Sequence, residues 1–365
     1  MAELIVHDKK IRHNIKYLSD YFKAHDIQWS LITKVFSGDK EFLKTVLTDD
    51  VLADIGSVGD SRLTSLKNLR DVNPHMRTIY IKPPAKIYAD EVVKYATISL
   101  NSSIETISAL NDAAAKINVV HEIIIMLELG ELREGIESSD LVEFYRKAIA
   151  FKNIAVVGIG SNLGCMYGVE PTHEKLVELS MCKKKIFAEF NVELPLVSGG
   201  TSITLPLIES GLPKEINHFR IGEAVFFGVS PLKNERFKAL MTDTFEFNAN
   251  IIELEEKKIV PQGIIGDAHI GLTAEYSDAG VLESSYKAIL DFGLLDVNQL
   301  DLEFIDAGLK FVGITSDMLV IDIGDNMNEQ GEQRYKIGGV ISFSLNYMAV
   351  ARLLSSKFID KRYDS

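Results

Sequence analysis

Lys34 stands where a short run of bulky and β-branched residues, Trp29 to Thr33, gives out into Ser37-Gly38-Asp39. The run reads as a strand and the triplet after it as loop and helix-start chemistry. A lysine at the C-terminal end of a first parallel strand can form a Schiff base with an aldehyde cofactor. The alternative is a solvated strand-end lysine, since lysines are mostly exposed.

Other chemistry-bearing residues recur at the same kind of position. Asp60 and Arg62 follow a second strand, Arg133 a fifth and Asn162 a sixth. Ser198-Gly-Gly-Thr-Ser202 follows a seventh, with Ser198, Thr201 and Ser202 offering hydroxyls beside accessible backbone N–H groups. Such a loop can cradle a phosphate, although a Gly-Gly pair can equally make a plain turn. Arg220 lies in an eighth strand, followed by Ile221, Gly222 and Glu223. Its guanidinium could bond a carboxylate, a phosphate or a ring nitrogen, or form a salt bridge to Glu223 or another acid. Arg133, within Glu128-Leu-Gly-Glu-Leu-Arg-Glu-Gly135, carries the same ambiguity. A lysine, a phosphate cradle and two arginines together suggest pyridoxal 5'-phosphate, whose aldehyde, phosphate and ring each need one of them.

The elements that must position these residues alternate regularly. Strands are expected at 29–33, Val51–Ile55, 78–82, 97–100, 121–127, 154–158, 196–197 and 218–221, with helices between most of them, among them 40–47, 61–69, 104–116, 140–151 and 173–190. Alternation of this kind implies a parallel sheet. The count fits a (β/α)8 barrel of the TIM type, although an open doubly wound sheet fits it too. Near residue 230 the composition shifts, and Phe245, Phe247, Ala249 and Ile251 recur at period two. The domains expected are a barrel over 8–230 and a mostly β domain over 231–365, with the N-terminal strand of residues 1–7 joining the second. Further strands are expected at 308–314, 318–323 and 339–345, with one helix around 283–290.

The 365 residues, 46% hydrophobic and 25% charged, are ordinary for a globular protein. A net charge of −13 argues against a nucleic-acid groove, which needs clustered Lys and Arg. Two cysteines, Cys165 and Cys182, make no disulfide framework, so a cytoplasmic location is expected. The N-terminus has no basic patch followed by an apolar core, and no apolar run approaches a membrane span, so neither a signal peptide nor a membrane partner is expected.

Five motifs in order carry a resemblance: Thr33-Lys-Val-Phe-Ser-Gly-Asp39, Glu128-Leu-Gly-Glu-Leu-Arg-Glu-Gly-Ile136, Gly158-Ile-Gly-Ser-Asn-Leu-Gly-Cys165, Ser198-Gly-Gly-Thr-Ser202 and Asn217-His-Phe-Arg-Ile-Gly-Glu223. Together they resemble the alanine/ornithine racemase group of pyridoxal-phosphate enzymes, with a looser match at Gly313–Asp322 in the second domain. The resemblance implies racemisation of an amino acid, of the ornithine or lysine type or alanine. Lys34 would be the Schiff-base lysine and would exchange the Cα proton on one face. Arg220 would face the pyridine nitrogen, keeping it unprotonated and disfavouring transamination. Arg133 would approach the phenolic oxygen and the substrate carboxylate, with Asn162 beside the cofactor. Ser198, Thr201, Ser202 and the backbone at Ile221 and Gly222 would hold the phosphate, and Ser316 and Asp317 would meet the substrate carboxylate. It also implies a head-to-tail homodimer with shared active sites. Two departures stand out: Ser37-Gly38-Asp39 replaces a phosphate-binding tyrosine, and Ile264–Gly271 lacks the tyrosine that serves as second base, leaving Asp267 or His269 as substitutes. A non-catalytic pyridoxal-phosphate carrier resembles the barrel alone, and a related decarboxylase shares the two-domain plan.

Overall fold

Strands alternate with helices from residue 28 to residue 221 in the computed structural model, which describes residues 1–266, 271–274 and 284–364. After β1 (Glu3–Val6) come β2 (Gln28–Ile32), β3 (Ser57–Asp60), β4 (Thr78–Tyr80), β5 (Ile98–Asn101), β6 (His121–Leu127), β7 (Ile154–Ser161), β8 (Leu196–Ser198) and β9 (His218–Ile221). Strands β2 to β9 pair in parallel in chain order, and β9 closes on β2 with Leu31 opposite Ile221. The result is a closed (β/α)8 barrel of the TIM type. Ile32, Ile79, Ile98, Leu100, Ile124 and Met126 form one buried cluster among its strands. In β6 every residue from Ile123 to Leu127 is buried, which is why that strand is apolar without alternation: a parallel strand under helices has no wet face.

The outer helices follow their local chemistry. Ser103 accepts from the Thr106 N–H at 3.3 Å to cap Ile104–Lys116, and Thr172 caps His173–Phe190 in the same way. The helix Asp8–Lys23 buries Ile11, Ile15, Leu18 and Phe22 along one stripe. Asn14, on the same buried face, donates to the carbonyls of Val225 at 2.8 Å and Met241 at 2.9 Å and accepts from the Met241 N–H at 2.7 Å. That clasp holds the segment after residue 230 against the barrel, and by its contacts the chain divides into Asp8–Thr242 and Met1–His7 with Asp243–Ser365.

Two elements differ from the sequence expectation. Val51–Ile55 is not a strand; Asp49–Leu52 is one helical turn, and the second barrel strand is Ser57–Asp60. Apolar content misleads there because the barrel needs a small residue: a Cβ on Gly59 would lie 2.6 Å from Ile32 Cδ1 and 2.8 Å from Ile79 Cγ2. Residues 284–290 are likewise a strand and not a helix. Ser284–Leu290 pairs on one side with Phe245–Lys258 and on the other with Leu319–Gly324, and hydrogen bonds to both neighbours override the helical preference of Lys, Ala and Leu.

The second unit is mostly β. Phe245–Lys258 pairs with β1, with Ser284–Leu290 and with Val340–Leu345, while β1 also pairs in parallel with Asp360–Tyr363. Lys287 is buried in this sheet and is paired with Asp322, which also accepts from Ser285 Oγ at 2.8 Å. No helix among the described residues is long and apolar enough to cross a membrane.

Asp60 ends β3 fully buried, its Oδ1 accepting from the Arg62 N–H at 2.8 Å while Oδ2 has no partner. Burial raises its pKa from 3.8 to about 6, against the pull of nearby backbone N–H groups. The folded state therefore binds this proton more tightly than the unfolded chain, so stability falls as pH rises from about 4 to about 6 and stays lower above. Asp60→Asn retains the acceptor for Arg62 and should raise stability at pH 7 by up to about 3 kcal/mol, a gain that fades below about pH 4. Denaturant titrations at the two pH values measure the difference.

Candidate active site

Lys34 opens a single 3-10 turn, Lys34–Phe36, just past the end of β2; its side chain is exposed while Val35 and Phe36 are buried. The loop after it is tightly anchored. Gly38 has φ +75°, and a Cβ there would lie 2.7 Å from Ser65 Cα; Asn68 Nδ2 donates to its carbonyl at 2.8 Å. Asp39 accepts from the Phe42 N–H at 2.9 Å, capping Lys40–Val46. Ser37-Gly38-Asp39 thus gives a close-packed turn and cap that fix the backbone leaving Lys34.

The register of β9 on β2 brings the end of β9 beside that backbone. Gly222 is so close that a Cβ would lie 2.8 Å from the Ile32 carbonyl oxygen. Glu223 begins the short helix Glu223–Phe227, half-buried. Burial raises its pKa, and the positive charge of Lys34 pulls the other way, so these two ionisable groups face one another.

Arg220 is buried at 4% exposure, with Nη1 donating to Ser198 Oγ and Nη2 to the Ser161 carbonyl at 2.7 Å. Among the described residues it forms no ion pair, so the salt bridge to Glu223 weighed from sequence is not made. Ser198 Oγ also meets His218 Nδ1 at 2.8 Å, His218 Nε2 meets Ser30 Oγ at 2.9 Å, and Ser30 Oγ meets Ser57 Oγ at 2.7 Å. A guanidinium can only donate, so Ser198 Oγ accepts from Arg220. Ser198, His218, Ser30 and Ser57 continue from it as one buried run of hydrogen bonds. Burial, with the Arg220 charge, holds the His218 pKa down at about 3, so the ring stays neutral. Burial lowers the Arg220 pKa to about 10, with Glu134 pulling it up and Arg133 pushing it down; it remains a cation at neutral pH.

Arg133 follows β6, and its Nε and Nη2 both donate to the Glu134 carboxylate. Nη1 lies 2.6 Å from Cys165 Sγ. Asn162, turned with its amide oxygen inward, accepts from Nη1 at 2.7 Å and from Nη2. The carboxylate partner weighed from sequence is therefore real, and it is the adjacent residue. Through Glu134 the Arg133 group and Arg220 form one electrostatic cluster at the ends of β6 and β9.

The loop after β8 is close-packed. Gly200 has φ +150°, and a Cβ there would lie 2.1 Å from Thr204 Oγ1. Thr201 precedes the 3-10 turn Ser202–Thr204, and Ser202 Oγ accepts from the Ala224 N–H at 3.0 Å, tying the loop to the helix after β9. Thr204 Oγ1 and Ser161 Oγ are buried with no partner.

The strand ends thus gather Lys34, Arg133, Asn162, Thr201, Ser202, Arg220, Ile221 and Gly222 at one end of the barrel. Ser198 lies at the same end, with its oxygen engaged by Arg220 and His218. Ser316 and Asp317 belong to the second unit, in the turn between Lys310–Ile314 and Leu319–Gly324, where Ser316 Oγ donates to Asp317 at 3.0 Å. Asp267 and His269 lie outside the described residues. Sequence reasoning missed Glu131 and His218; one acid among several within Glu128–Glu134 and a lone strand histidine carry no local mark of which way they turn.

A parallel barrel with a lysine after its first strand and a buried arginine at its last defines a class of enzymes working at the C-terminal strand ends. The family described as "Alanine racemase, N-terminal domain" matches residues 6–231. The ornithine racemase of Acetoanaerobium sticklandii is 35% identical over 96% of this chain and 96% of its own, and the lysine racemase of Thermotoga maritima 28% identical over 99% and 98%. Among solved structures, the alanine racemase of Streptomyces coelicolor superposes with a TM-score of 0.74 at 14% identity, covering 99% of this chain and 97% of that one. That of Corynebacterium glutamicum gives 0.71 at 16%, covering 100% and 99%. The chain belongs to the alanine racemase family and is an amino-acid racemase.

Proposed function

We propose that this racemase uses pyridoxal 5'-phosphate and acts on diamino acids of the ornithine and lysine kind. The observation that carries the reading is Lys34 standing at the barrel end where the buried Arg220 guanidinium is held by its hydrogen bonds to Ser198 and to the Ser161 carbonyl. The residues fit the cofactor: Thr204 Oγ1 and Ser161 Oγ are buried polar atoms without partners, and Gly200 and Gly222 pack too closely to carry side chains. Bound there, the cofactor would acidify the substrate's Cα proton.

Lys34 would hold the aldehyde carbon covalently and, once released, take or return the Cα proton on one face. Arg220 would face the ring nitrogen and, as a cation, keep a proton off it. Thr201, Ser202 and the backbone N–H groups of Ile221 and Gly222 would hold the phosphate, with Ser198 positioning Arg220 from below. Arg133, flanked by Asn162, would meet the phenolic oxygen side and the substrate carboxylate, and Ser316 and Asp317 would add substrate contacts. Asp267 or His269 would act as base on the opposite face. Diamino substrates are favoured by the two curated relatives, by the acidic net charge of −13 and by the carboxylates of Glu134 and Glu223 around the site.

The reading is tested by incubating the protein and cofactor with single enantiomers of ornithine, lysine and alanine in deuterated water, followed by chiral analysis. Cα deuterium and the opposite enantiomer are expected, fastest with ornithine or lysine. Deuterium uptake with alanine alone would remove the diamino assignment, and none with any amino acid would remove the reading.

The proposal extends to a cytoplasmic head-to-tail homodimer with sites shared between subunits. Two inactive variants, Lys34→Ala and a double Asp267→Ala/His269→Ala, should on mixing and reassembly recover about a quarter of wild-type activity, since half the dimers would then hold one intact site. Recovery of none, with dimers formed, would place both bases in one subunit.

A further inference from the structure

The loop after β7 has almost no regular structure, yet five of its backbone N–H groups converge on one side chain. The Glu131 carboxylate accepts from Gly164 at 3.0 Å, Cys165 at 3.0 Å, Tyr167 at 2.8 Å, Gly168 at 3.3 Å and Val169 at 3.1 Å. A carboxylate has about four lone-pair sites, so this one is saturated. Glu131 is 1% exposed, while Met166 and Tyr167 are 60% and 66% exposed; the clamped amides turn inward and these two side chains turn out. The segment that carries Glu131 is bent to achieve this. Leu132, a non-glycine residue, takes φ +53° and is 68% exposed, so Glu131 and Arg133 on either side of it both turn toward the protein.

The clamped loop bears Cys165, and Asn162 stands at its start; these two groups contact the Arg133 Nη atoms. One short segment therefore supplies the arginine and, two residues before it, the carboxylate that fixes the arginine's neighbours. We propose that Glu131 is a positioning residue for catalysis: by holding the loop of residues 163–169 it sets Asn162 and Cys165 against Arg133 and fixes the guanidinium that meets the substrate. Burial opposes the charge on Glu131, but the amides outweigh it and hold the pKa below the usual carboxylate range, so the clamp stays ionised throughout the neutral range. The proposal rests on the reading that Arg133 faces cofactor and substrate.

The test is a double-mutant cycle on the cofactor-loaded enzyme, with amide hydrogen exchange beside it. Glu131→Gln keeps the shape but turns an NH2 donor toward a ring of donors. It should lower kcat/KM by about tenfold or more, with the amides of residues 164–169 losing protection and the far-UV spectrum of the barrel retained. In an Arg133→Met background the same change should cost less than about threefold, because the group through which it acts is gone. A full, additive loss in that background would overturn the proposal, since it would mark Glu131 as merely structural. Full activity of Arg133→Met alone would overturn it together with the role given to Arg133, whereas additive losses would leave that role standing. Glu131→Asp, charged but too short to reach every amide, enters the same cycle with the same criteria if the glutamine variant does not fold.

Discussion

Lys34→Ala is expected to abolish racemisation, by at least about a thousandfold in kcat, while leaving the barrel folded. The side chain is exposed and begins a turn whose stability comes from Val35 and Phe36 beneath it and from Gly38 and Asp39 after it, so its removal opens no cavity. The loss should fall on turnover and not on the fold, with a melting temperature within a few degrees of wild type. Added cofactor should no longer be trapped on the protein by borohydride. Restored activity on adding a primary alkylamine would tie the defect to the missing amine. Retention of a borohydride-stable adduct in Lys34→Ala would move the covalent role to another lysine.

Arg220→Met should have the second-largest effect, a loss of about a hundredfold or more in kcat. It has two physical parts. The buried cation whose pKa is still about 10 disappears from the position proposed to face the ring nitrogen. Ser198 also loses its donor, which cuts the buried run of hydrogen bonds through His218 and Ser30 at its first member. The Ser161 carbonyl is stranded as well, and an unpaired buried acceptor costs about 1–3 kcal/mol, so stability should fall in parallel. Ser198→Ala separates the parts: it keeps the cation and removes the relay, and a loss well below that of Arg220→Met is expected. A new transaminase side reaction in Arg220→Met would be the direct sign that the ring nitrogen had gained a proton. Unchanged kcat with an unchanged visible spectrum would rule out contact between Arg220 and the cofactor.

Much of the barrel is legible in the chain because its signals are local. The helices at 104–116 and 173–190 are marked at residue precision, and the apolar block of β6 marks a strand buried on both sides. The second barrel strand was not legible. Ser57-Val58-Gly59-Asp60 has a single large apolar residue, and its identity as a strand depends on Leu31 and Ile32 lying alongside and on Ile79 leaving no room for a Cβ. The strand at 284–290 was lost for the complementary reason: Lys287 is buried in a sheet, which is tolerable only because Asp322 lies opposite. Strand pairing at a distance decides both, and no window of sequence contains it.

The sequence alone determined that a lysine, two arginines and a glycine–hydroxyl loop fall at the ends of separate strands in one alternating series, because strand order and spacing are properties of the chain. What each of those side chains touches was decided by the tertiary structure. Closure of β9 on β2 set Glu223 against Lys34 and ran the hydrogen bonds from Arg220 through Ser198 and His218 to Ser30. The loop after β7 folded onto Glu131 and thereby met Arg133. The physical reason is the same in each case. Charge and hydrogen-bond direction depend on burial and on neighbours tens to hundreds of residues away, and a side chain's type gives its capacity to donate or accept but not its partner.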